Sequence, residues 1–101
     1  MREESVFARM ATFEVDDPRL IEGEIETTQR YTDDGLHSEG IPAIGFLMMV
    51  DRPGGKVVEV LLFETEDDLR QGDATMNAMS PGQGSMHRVA LELLEVPVHA
   101  L

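Results

Sequence analysis

The chain has 101 residues, twenty acids against eight lysines and arginines for a formal net charge of −12, and neither cysteine nor tryptophan. The length sets the expectation of one domain over residues 1–101 with a single core, and the charge argues against nucleic-acid backbones and anionic membranes as partners. Without cysteine there are no disulfides, no thiolate chemistry and no cysteine-held metal.

No run of about eighteen apolar residues occurs, so no membrane-spanning segment is expected. The opening Met1-Arg2-Glu3-Glu4-Ser5 passes straight into a strand pattern without an apolar leader, which makes the cytoplasm the expected compartment. From Ser5 to Val15, Phe7, Arg9, Ala11, Phe13 and Val15 share one face, while Val6, Ala8, Met10 and Thr12 share the other. Both faces are mostly apolar, which suits a central strand, and Arg9 is the misfit. Asp17 followed by Pro18 reads as a capped helix start, with Ile21, Ile25, Thr28 and Thr32 on one face and Gly35 as the stop.

After a connection containing His37 and Pro42, Ala43 to Glu64 forms the clearest signal in the chain. Two apolar runs flank Asp51-Arg52-Pro53-Gly54-Gly55-Lys56, the pattern of a β-hairpin with a longer loop. Neither run alternates cleanly, and Glu59 is the single interior charge of the second, so both sheet faces are expected to be covered. Thr65 then caps a second helix through Leu69, Ala74, Met76 and Met79. A Gly-rich loop at Gly82 to Ser85 leads into a last strand, Met86 to Val98, in which Pro97 marks an edge, a bulge or the end of pairing.

The order βαββαβ in about a hundred residues is the ferredoxin-like arrangement, an α+β fold with two helices on one face of a four-stranded antiparallel sheet. Too little chain remains to cover the second face, so a second copy is expected to do so. The first strand Val6-Phe7-Ala8-Arg9, the stretch Gly45-Phe46 with Val50-Asp51-Arg52, and Leu62-Phe63-Glu64-Thr65-Glu66-Asp67-Asp68-Leu69 together resemble the dimeric α+β barrel superfamily. Within it, the chain is similar to the antibiotic-biosynthesis-monooxygenase-like domains. The resemblance implies a homodimer with a small apolar cavity between each sheet and its helices. It also implies an oxidoreductase chemistry without metal or flavin, acting on phenolic or polyketide-like substrates. At the family's tryptophan position this chain has Phe63. Haem-degrading relatives use an Asn on the first strand and a His on the second helix; here the first strand has no Asn and Leu69 to Met79 contains no His, so haem degradation is disfavoured.

The candidate catalytic residues are His37, a base available near neutral pH, and Arg9. Arg9 needs either a structural carboxylate, from Glu59 or a helix acid, or a ligand anion. Phe46, Met48, Phe63, Met76 and Met79 are the candidate apolar lining of a ligand pocket, with Tyr31 and Asn77 as hydrogen-bonding groups. The histidine spacing supports no zinc site, so no metal or other cofactor is expected. Two functions follow: a homodimer binding a small apolar or aromatic molecule, with cofactor-independent oxidation as its catalytic form, or a non-catalytic dimeric ligand-sensing or protein-interaction module.

Overall fold

The computed structural model describes residues 5–35, 40–79 and 86–100. The elements run β1 (Val6–Val15), a 3-10 turn (Pro18–Leu20), α1 (Ile21–Asp34), β2 (Gly45–Asp51), β3 (Lys56–Phe63), α2 (Glu66–Ala78) and β4 (Met86–Val96). All strand pairs are antiparallel, in the order β2-β3-β1-β4. This is the ferredoxin-like α+β topology expected from the order of elements.

Local chemistry sets the boundaries. Asp17 caps by accepting from the Arg19 amide, but the residues it caps form a 3-10 turn, so the α-helix begins at Ile21 rather than at Pro18. The cap of α2 follows expectation, with the Thr65 hydroxyl accepting from the Asp68 amide and three acids in the first turn complementing the helix dipole. Between β2 and β3, Gly55 takes φ +65°, a left-handed conformation that glycine tolerates. Arg52, in the same turn, pairs with Glu22 of α1. The strand ladder of β4 stops at Val96, before Pro97, so the expected extension to Val98 lies outside the sheet.

The register assigns each sheet residue to a face. Phe7, Arg9, Ala11 and Phe13 of β1 stand opposite Phe63, Leu61, Glu59 and Val57 of β3, and all of these face the helices. Two apolar clusters form there. One joins Ala11, Phe13, Val15 and Val57 to Ile21 of α1; the other joins Leu61 and Phe63 to Ile41, Ala43 and Leu69.

Among the described residues no helix covers the opposite face, although it carries Met10, Leu47, Met49, Val58, Val60 and Leu94. Leu47, Met49 and Leu94 keep between 42% and 48% of their surface exposed. Within the described residues, a sheet apolar on both faces therefore has helices on one side only. At one end of the open face, residues Val6, Gly45, Leu47 and Leu62 and the returning His99 enclose a pocket of about 350 Å³.

Candidate functional site

Between the two apolar clusters, the helix-facing surface of the sheet carries charge. Arg9 sits opposite Leu61, and Glu59 sits opposite Ala11 on one side and Met48 on the other. The two charged residues are therefore diagonal neighbours on the two central strands, and the small side chain of Ala11 lies between them. Burying charge on a central strand is costly unless it is paired, so the partners of each decide what the site is.

The Arg9 side chain is 4% exposed, and its Nε donates to Asp73 Oδ1 at 2.9 Å. Its Nη2 donates to Asn77 Oδ1 at 3.1 Å. Asp73 and Asn77 lie one helical turn apart on α2, so one guanidinium engages two side chains of the same helix face. Of the expected partners, the helix acid is the one that pairs; Glu59 does not. Arg88 of β4 donates to the same Asn77 oxygen at 3.0 Å. Asn77, expected as a polar group of a pocket, thus joins β1, α2 and β4.

Glu59 is half-buried, and its carboxyl is pushed above the ordinary glutamate value. Burial is the main cause and the nearby Glu24 of α1 adds to it, while Arg9 partly offsets both. A half-buried carboxyl with a raised proton affinity in an otherwise apolar row is a candidate for exchanging a proton with a bound molecule. The signal for it was present in Val57-Val58-Glu59-Val60-Leu61: Glu59 is in phase with Val57, Leu61 and Phe63, the face that forms the core. Sequence reasoning placed it only as a partner for Arg9.

Beside this row, an open cleft of about 400 Å³ lies between α1 and β2, lined by Ile25, Thr28, Gln29 and Thr32 of α1 and by Phe46, Leu47 and Met48 of β2. Of the candidate ligand-binding residues, the structure places Phe46 and Met48 on this cleft. Met48 is also the cross-strand neighbour of Glu59, which relates the cleft to the charged row.

Other candidate residues lie elsewhere. Phe63 has no exposed surface and packs inside the second cluster, with Met76 partly buried against it. The Tyr31 hydroxyl lies 3.7 Å from the Met79 sulfur, which bridges α1 and α2. His37 lies outside the described residues. His87 pairs with Asp16 at 3.1 Å on an exposed edge, away from the charged row. Among the described residues, no group of three or more metal-ligating side chains converges, and no helix is long and apolar enough to cross a membrane.

No family model matches the chain, and neither a curated protein nor a solved structure does.

Proposed function

We propose that the chain binds a small apolar or aromatic molecule on the helix-facing side of its sheet, with Glu59 as the group that exchanges a proton with it. The observation that carries this reading is the Glu59 carboxyl, held half-buried between two apolar clusters with its proton affinity raised by burial and by Glu24. Core packing alone does not call for a carboxyl there. An apolar residue in phase with Val57 and Leu61 would join the two clusters at less cost. The cleft between α1 and β2 supplies apolar surface beside it, as ligand sites generally combine apolar walls with a few polar groups.

The catalytic form of this reading is oxidation of a phenol-like substrate by dioxygen without a cofactor, the chemistry implied by the resemblance to antibiotic-biosynthesis-monooxygenase-like domains. A base removes a proton from the substrate, and the resulting anion gives its electrons to dioxygen. One oxygen atom enters the product and the other leaves as water. The protein's part is orientation, a dry surface and the proton acceptor. Glu59 is favoured as that acceptor by its position; His37 is the alternative. The open sheet face, with Leu47, Met49 and Leu94 uncovered, favours a homodimer as the working form.

Oxygen uptake with a panel of phenols and anthrones tests the catalytic form in the wild type, Glu59→Gln and His37→Ala. The expected result is turnover that Glu59→Gln abolishes and His37→Ala leaves within a few-fold. Ligand binding without turnover by the wild type would remove the oxidation and leave the non-catalytic, ligand-sensing module.

A further inference from the structure

The pocket of about 350 Å³ at the end of the open face is closed on one side by the C-terminal tail. The β4 ladder ends at Val96, opposite Val6, and Pro97 has no N–H with which to extend it. His99 nevertheless lines the same pocket as Gly45 and Leu47 of β2, the strand at the far edge of the sheet. The two edge strands stand three strand spacings apart, about 14 Å, whereas three residues of extended chain span at most about 11 Å. The tail therefore turns across the strand ends directly after Val96, and the imidazole completes the reach.

Apart from that imidazole the lining is apolar, with Val6, Ile44, Leu47 and Leu62 as its main walls. Gly45 forms part of the floor. It is not among the glycines with positive φ, so its backbone conformation does not call for glycine, and glycine weakens a strand. A Cβ at Gly45 would come within 3.3 Å of Leu62 Cδ1, so a side chain there would crowd the pocket. No lysine, arginine or carboxylate lines it, and a charged group would be desolvated there at high cost. The net charge of −12 further disfavours an anion.

We infer that this pocket is a second binding site, taking a small uncharged molecule that is mostly hydrocarbon, an alcohol of medium chain length, with its polar end at His99. Its volume lies at the lower end of the range for small-molecule sites. The site is separate from the cleft between α1 and β2, which it meets only at Phe46 and Leu47 of the edge strand. It therefore does not depend on Glu59 or on the reading proposed for that cleft.

Methyl NMR of the full chain titrated with 1-octanol, and separately with octanoate, tests it. The expected result is saturable shifts of the Val6, Ile44 and Leu62 methyls by octanol, with octanoate binding at least about tenfold more weakly. Gly45→Val, which improves strand propensity while filling the floor, should abolish these shifts. Ile44→Asp, at a position 58% exposed, should weaken octanol binding at least about tenfold without touching the core. Octanoate binding as tightly as octanol, shifts that survive Gly45→Val, or no saturable shift at Val6, Ile44 and Leu62 would each overturn the site. Equal shifts at Met49 and Leu94 would mark unspecific coating of the open face and overturn it too. Shifts of the pocket methyls on diluting the ligand-free chain, with none on adding octanol, would make a second copy the occupant instead. None of these outcomes bears on the cleft, whose own methyls are those of Ile25 and Met48.

Discussion

Gly72 of α2 lies against the ring of Phe63: a Cβ built at Gly72 would come within 2.5 Å of the Cε1 and Cζ atoms. Phe63 has no exposed surface, so the ring has little room to move away, and the missing side chain is what lets α2 sit this close to β3. Gly72→Ala should therefore destabilise the fold by about 1–3 kcal/mol through overpacking, despite the better helix propensity of alanine. Gly23 of α1 has nothing within 4 Å of the same built atom. Gly23→Ala should stabilise by about 0.5–1 kcal/mol. Urea denaturation of the two variants checks that one substitution acts with opposite signs in the two helices.

The Arg9–Asp73 pair is asymmetric, because the Arg9 side chain is 4% exposed and that of Asp73 is 21% exposed. Removing the acid strands a buried cation, while removing the cation leaves an acid that water can reach. Asp73→Ala is expected to cost about 3–5 kcal/mol and Arg9→Met distinctly less. Chemical denaturation of both single variants and of the double variant gives the coupling. Equal costs would contradict the burial asymmetry.

Glu59 makes stability depend on pH in a defined direction. Its folded-state proton affinity is raised above the ordinary value of 4.5, so charging it costs more in the folded than in the unfolded chain. Its favourable contribution is fully present below about pH 4.5 and is lost as pH rises through the raised folded value. Glu59→Gln should therefore raise Tm at pH 7 to 8, with the gain shrinking to nothing as pH falls towards 4.5. A gain that is the same at every pH would point to packing rather than charge.

The open sheet face predicts association. Light scattering at micromolar concentration should give twice the chain mass, and Leu47→Arg with Leu94→Arg, both at exposed positions, should halve it without unfolding the chain. A well-folded wild-type monomer would contradict the dimer.

The fold was legible because strand and helix signals did not compete. β1 is apolar on both faces, the hairpin has a turn-rich centre, and Thr65 sits three residues before Asp68, where its hydroxyl reaches the amide. The helix start at Pro18 was misplaced because Asp17 caps a 3-10 turn in the same way that it would cap an α-helix. The site was harder to read. Arg9 stood out as a charge in an apolar strand, but choosing Asp73 over Glu59 requires knowing how α2 lies across β1, which no local pattern encodes. The meeting of Arg9 and Arg88 on Asn77 brings together three elements separated in the chain. Glu59 was visible as a residue, yet its raised proton affinity comes from burial and, to a lesser degree, from Glu24 of a helix, both of which arise only in three dimensions.

The central claim, a small apolar or aromatic ligand bound on the helix side of the sheet beside Glu59, is tested most directly at two adjacent methionines. Met48 lines the cleft next to Glu59, and Met49 points to the open face. In a titration with 1-naphthol followed by methyl NMR, the methyl signals of Met48 and Ile25 should shift saturably, while those of Met49 and Leu94 stay in place. Saturable shifts at Met49 and Leu94 alone, or no saturable shift at all, would contradict the account.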